Sequence, residues 1–229
     1  MELTVLGNFG PYSTKEGNAS GYLVQNGADF LVMDMGSGTL GALQTAVDVR
    51  KVKYLYISHL HYDHTSDLLP FRYLLEDLGH TVTVFTHEED TAWYNLLFHH
   101  PRLQIVPIDA QSEVQAGSMR LSFSEMRHTV PDYAVTVRGE KTLCYTGDTL
   151  YNDNIPRCFA ESDAVLLDCT KPQGFTGPHM TVADARRLAN EYPEVRLFAT
   201  HRSAEYNPTA DLADCKNITV VETGKVYSL

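Results

Sequence analysis

Residues 57–68 read ISHLHYDHTSDL and follow directly on the apolar run VKYLYI at 52–57. His59, His61, Asp63 and His64 fall within six residues at the point where that run ends. A strand ending near Ser58 would project them together in one loop from a sheet edge. Imidazole nitrogen and carboxylate oxygen are the donors zinc prefers, at roughly 2.0–2.2 Å. Four such groups in one short segment would repel or go unsatisfied without a cation, and they exceed what one open catalytic zinc requires, which points to two metals. The rest of the chain should then bring more donors to strand ends. His128 ends RLSFSEMRH, Asp148 follows TLCYTG, and His201 ends VRLFATH.

The surrounding pattern is that of an α/β protein. Strands are expected in LTVLG (3–7), SGYLVQNGADFLVMDMG (20–36, an NG hairpin), VKYLYISH (52–59) and TVTVFT (81–86). A second set covers LQIVPID, EVQAGSMRLSFSEMRH, DYAVTVRGEKTLCYTGD, DAVLLDCT, VRLFATH and ITVVE. Helical spacing appears in residues 38–51, 66–80, 88–100 and 181–193, the last with Thr181 as cap and Asp184 three positions on. Two blocks of strands with helices predict a four-layer αββα sandwich, one domain over residues 1–229.

Composition narrows the function. The formal net charge is −11, without any cluster of lysine or arginine, so a long nucleic acid is a poor partner and a small anionic substrate a better one. No stretch approaches the ~18–20 apolar residues of a membrane helix, and MELTVLGNFG lacks the form of a signal peptide, so a soluble, cytoplasmic protein is expected. The four cysteines form no C-x-x-C and read as small buried thiols. Residues 36–41, GSGTLG, match a dinucleotide fingerprint. Asp34 stands where a pyrophosphate would lie, and the next strand ends in Ser58-His59 rather than an acidic residue, so a glycine turn needing positive φ is the better reading.

HLHYDH resembles the H-x-H-x-D-H signature of the metallo-β-lactamase fold superfamily. MDMGSGTLGAL precedes it, and MRHTVPDYAV, YTGDT, GPHMT and FATH follow in the expected order. The resemblance implies one metal on His59, His61 and His128, a second on Asp63, His64 and His201, and Asp148 between them. Asp63 also counts among the catalytic residues, and Asp34 would steady the ligand loop. Zinc is the default ion, with manganese, iron or nickel accepted by the same donors. Aspartate at 148, where true β-lactamases carry cysteine, argues against that activity. Histidine at 61 argues against the diiron oxygen-reducing relatives, which carry glutamate.

LGNFGPYSTKEGNASGYLV and LLDCT followed by GPHMTVADARRLA resemble the ribonuclease Z branch. There an acidic residue, usually glutamate, pairs with a histidine that assists phosphodiester cleavage; the matching positions are Asp168 and His179. The long arm of that branch is replaced by the 19 residues 129–147, so precursor tRNA is not the expected substrate. The expected activity is hydrolysis of a small phosphodiester or cyclic nucleotide by a homodimer. The alternatives are a carboxylic ester, thioester or lactone hydrolase, and a non-catalytic metal- or nucleotide-binding module. His80, His87, His99 and His100 are read as structural or surface residues, with His99 or His100 the pair that could line a pocket.

Overall fold

The computed structural model describes residues Met1–Leu229. In chain order the first half runs β1 (Glu2–Gly7), β2 (Gly21–Asn26), β3 (Asp29–Met33), α1 (Thr39–Ala46), β4 (Tyr54–Tyr56), α2 (Tyr62–Thr65), α3 (Leu68–Leu78), β5 (Val82–Thr86), α4 (Ala92–Phe98) and β6 (Leu103–Pro107). The second runs β7 (Glu113–Ala116), β8 (Met119–Met126), β9 (Asp132–Arg138), β10 (Thr142–Tyr145), α5 (Ile155–Ala160), β11 (Ala164–Asp168), α6 (Val182–Glu191), β12 (Arg196–Thr200) and β13 (Ile218–Val220). A last strand, β14 (Val226–Ser228), returns to pair with β1, so the first seven-stranded sheet is ordered β14-β1-β2-β3-β4-β5-β6. The other is ordered β13-β12-β11-β10-β9-β8-β7.

Three apolar clusters separate four layers. Leu31 and Met33 of β3 meet Phe123, Val135 and Leu166 of the other sheet in the central one. Phe30 and Val32, on the opposite face of the same strand, pack with Leu43, Phe71, Leu75 and Leu97 of the helices over the first sheet. Val165 and Leu167 do likewise with Phe159, Ala185 and Leu188 over the second. Strands covered on both faces read as continuous apolar runs, which is why AVLLD at 164–168 is buried throughout. Each large side chain so buried contributes about 1.5–3 kcal/mol before entropy is set against it. The αββα sandwich expected from the sequence is the observed architecture.

Local departures have physical causes. The expected helix at 88–100 begins only at Ala92, because the Thr91 side chain accepts from the Tyr94 amide and caps it there. The segment at 38–51 breaks where Val47 turns extended, and a short 3₁₀ turn, Val49–Lys51, follows. EVQAGSMRLSFSEMRH and DYAVTVRGEKTLCYTGD are each two antiparallel strands. The short α5, with Pro156 in its first turn, and β14 were not foreseen. Cys144, Cys158 and Cys169 are buried, Cys215 half-buried. No helix is long and apolar enough to cross a membrane.

Strand direction decides where the polar strand ends go. β3 and β4 are parallel, with Met33 beside Tyr56, so Asp34 and Ser58-His59 leave the sheet at the same edge. In the second sheet β10, β11 and β12 are parallel, with Tyr145 beside Leu166 and Asp168 beside Thr200. Asp148, Asp168 and His201 therefore emerge at one edge too. β8 pairs antiparallel with β9, matching Met126 with Asp132, and β9 pairs antiparallel with β10, which sends His128 to that same edge. Carboxyl ends of parallel strands are the usual seat of a site in α/β sheets.

Candidate metal centre

The ligand segment leaves β4 as the expected loop, which carries His59 and His61, and then closes into a helical turn. His59 lies between β4 and α2, His61 is extended, and Asp63 and His64 lie in α2, which the chain enters through His61. The Thr65 hydroxyl donates to the His61 carbonyl at 2.8 Å and closes that turn. Asp34 braces the whole segment. It accepts from the Ser58 amide and hydroxyl, each at 2.8 Å, and from the Tyr145 hydroxyl at 2.7 Å. The His64 Nδ1 stands 2.7 Å from the same carboxylate. Asp34 and His201 are the non-glycine residues with positive φ, 59° and 60°. Such backbone costs about 1–3 kcal/mol and persists where the surroundings force it.

Three groups of donors converge, each with its atoms within 4.8 Å of one another: His59, His61, His128 and Asp148; Asp63, His64, Asp148 and His201; and Asp148, Asp168, His179 and His201. Asp148 is common to all three. His61 Nδ1 lies 3.0 Å from His59 Nε2 and 3.2 Å from His128 Nε2. His201 Nε2 lies 3.2 Å from Asp63 and 3.1 Å from Asp148, and His64 Nε2 3.4 Å from Asp148. All the metal candidates named from the sequence are thus brought together. His80 instead hydrogen-bonds the Val52 carbonyl, His87 sits against Glu89 and His100 against Glu76, while His99 is exposed. None of these four belongs to the three groups.

One buried residue of the site went unread in the sequence. Asp132, fully buried at the start of β9, places Oδ2 2.7 Å from His59 Nδ1 and accepts from the Asp148 amide at 3.1 Å. A carboxylate there favours the tautomer with its proton on Nδ1 and the lone pair on Nε2. Its only sequence signal was a carboxylate opening a strand four positions after His128.

The electrostatics fit a cation. Burial lowers the pKa of His59 to about 3 and those of His61 and His128 to about 4, so all three imidazoles are neutral at pH 7. The Nδ1–H of His128 donates to the Pro178 carbonyl at 3.1 Å, leaving a lone pair on Nε2. The free lone pairs of His59 Nε2 and His128 Nε2 both face His61 Nδ1, at 3.0 and 3.2 Å; one shared proton on that nitrogen or one cation among the three would satisfy them. Two ligands of a tetrahedral zinc stand roughly 3.3 Å apart, close to those separations. Burial would raise Asp63, but His64 and His201 hold it well below its ordinary range. Asp148, buried, is likewise held well below by His201 and His64. Burial would lower His64, yet Asp148, Asp63 and Asp34 push it well above. His64 Nε2, Asp148 Oδ1 and His201 Nδ1 are sealed from solvent without a hydrogen-bond partner.

The decoy at GSGTLG is resolved by the same geometry: Gly38 caps α1 at φ 90°, a conformation L side chains avoid.

Comparison with known proteins agrees with the fold. The profile of the beta-lactamase superfamily domain matches residues 14–202. The probable metallo-hydrolase YhfI of Bacillus subtilis is 28% identical over 211 residues, covering 88% of this chain and 86% of that protein. Its crystal structure superposes with a TM-score of 0.91 at 25% identity, over 99% of this chain and 98% of the other. Uncharacterized protein ML1173 of Mycobacterium leprae is 44% identical over an alignment covering 88% of this chain and 77% of its own. The short form of human tRNase Z shares the fold, with a TM-score of 0.79 at 18% identity, over 100% of this chain and 99% of the other. The chain belongs to the beta-lactamase superfamily, with the metallo-β-lactamase fold.

Proposed function

We propose that the protein is a metal-dependent phosphodiesterase for a small phosphodiester or cyclic nucleotide, with two divalent ions, zinc by preference. His59, His61 and His128 would hold one ion, Asp63, His64 and His201 the other, and Asp148 both. When bound, such ions supply Lewis acidity, lowering the pKa of a water and neutralising charge on phosphoryl oxygens. The donor set supports this choice through the neutral imidazoles of His59, His61 and His128 and the sealed, unpartnered His64 Nε2 and Asp148 Oδ1.

The observation that carries the phosphodiesterase reading is the pair formed by His179 and Asp168. His179 Nδ1 lies 2.8 Å from Asp168 Oδ2 and 3.8 Å from Asp148 Oδ2. Asp168 also accepts from the Thr149 amide at 3.0 Å, so its carboxylate is fixed. An aspartate at the last position of β11 reaches the imidazole without the longer glutamate stem. Burial alone would lower His179, but the charge and hydrogen bond of Asp168, with Asp148 behind it, raise its pKa above the ordinary value. Asp168 thus favours the protonated form of His179. With Nδ1 held by Asp168, the proton leaves from Nε2, to the departing alkoxide. Asp168 is the positioning residue.

The test is turnover by purified, metal-loaded protein. Hydrolysis of bis(p-nitrophenyl) phosphate or a cyclic nucleotide is the expected result; cleavage of thioesters or lactones with no phosphodiester turnover would refute it.

A second prediction concerns how His201 is held. Gly10 passes so close that a Cβ there would stand 1.9 Å from His201 Nε2, the atom proposed to meet the metal. Gly10→Ala must displace that ring or the loop carrying residue 10. Pushing a ligand out of place is expected to cost metal affinity about as much as losing the bond that orients it, about 10–100-fold. Metal titration followed by calorimetry should show one of two sites weakened, the His59 side being retained.

A further inference from the structure

Lys171 is 6% exposed, yet no carboxylate lies within ion-pair distance of it and no hydrogen bond is made by its side chain. The contrast with Lys141 is plain: that half-exposed lysine pairs with Asp163 at 2.9 Å. The buried part of Lys171 is its stem, and the ammonium at its end is left free of any carboxylate. Lys171 Nζ is not among the sealed polar atoms, so its tip keeps an opening to solvent.

The opening is beside the proposed acid. Lys171 and Thr181 bridge the two ends of the loop that carries Phe175 and His179, and the Val182 amide donates to the Lys171 carbonyl at 2.9 Å. Lys171 Nζ lies 6.0 Å from the Phe175 ring centre, and that ring lies 6.3 Å from His179. Phe175 is 41% exposed, one of few large apolar side chains left open to solvent. An unpaired cation and an open aromatic face thus flank the residue from which a leaving group takes its proton, in a chain whose net charge is −11.

We propose that Lys171 and Phe175 form a leaving-group subsite, in which the ring packs on a planar or apolar portion and the ammonium binds a second anionic group. This rests on the phosphodiesterase reading and narrows its substrate to one that is anionic on both sides of the scissile bond. A snorkelling lysine would also bury its stem and free its head. It would not select for a second anion, and that difference is what the experiment reads.

The experiment is calorimetric binding of a nucleoside 3′,5′-bisphosphate against the corresponding 5′-monophosphate to metal-loaded protein, without turnover. A hydrogen bond to a charged group implies a preference of about tenfold or more for the bisphosphate. Lys171→Met should bring the ratio to near unity, and Lys171→Arg should keep most of it, which shows that loss in the methionine variant is not misfolding. A wild-type ratio near unity, or one unchanged by Lys171→Met, overturns the subsite. A Lys171-dependent preference in a protein that cleaves no phosphodiester would leave the subsite standing and remove the phosphodiesterase reading. Turnover with no preference would do the reverse.

Discussion

His179→Ala is expected to lower phosphodiester turnover by about 10²–10⁴-fold, the range that a positioned general acid supplies. The variant should keep its metal, because His179 itself is in neither of the two donor groups proposed as ligands, and Asp148 and His201, which its own group shares with them, are left in place. The loss should depend on the leaving group. An alkoxide needs the proton in order to depart, whereas p-nitrophenolate leaves well without it, so bis(p-nitrophenyl) phosphate should suffer less than an alkyl diester. Equal losses on both, or an indifferent variant, would remove His179 from the proton-transfer step and favour the ester or thioester alternative.

The pH profile gives the same assignment a sign. Asp168 raises the pKa of His179, and an acid acts in its protonated form, so turnover falls as pH rises through that pKa. Asp168→Asn removes the charge and lowers His179, which moves the alkaline limb of the profile to lower pH. A merely structural role for Asp168 would reduce activity at every pH and leave the limb in place.

Much of this was legible in the sequence because each metal candidate terminates an apolar run. An apolar strand buried on both faces has only its end available for polar chemistry, so His128, Asp148 and His201 stood out without any knowledge of pairing. What the sequence could not supply was register. Asp132 braces His59 because β8 and β9 place Met126 beside it, a match fixed by tertiary pairing. The helical turn at Asp63 and His64 was hidden for a different reason: four residues carry no periodicity, and the turn is closed by a side-chain bond from Thr65. β14 and α5 are likewise too short for a pattern to show. Lys171 was overlooked because a single lysine after a strand is ordinary in sequence; only its burial without a partner marks it.

Loading with zinc is expected to raise the melting temperature substantially, and Asp148→Asn to abolish most of the rise. A ligand that binds only the folded state at about 100–1,000 times its Kd stabilises by about 2.7–4.1 kcal/mol. For a chain of this size each kcal/mol moves Tm by about 2–4 °C, giving a shift of about 5–15 °C. The metal-free protein must bury Asp34, Asp63, Asp132, Asp148 and Asp168 together, with His64 Nε2 and Asp148 Oδ1 left unpartnered. Asp148 is the side chain common to all three donor groups. Asparagine keeps its volume while deleting its charge, so the substitution separates packing from ligation. The variant should fold, show little zinc-dependent shift by scanning calorimetry, and bind fewer ions by elemental analysis. If Asp148→Asn kept the full shift and stoichiometry, the cations would have to be held away from the edge where the two sheets meet, and the shared-carboxylate arrangement would be wrong.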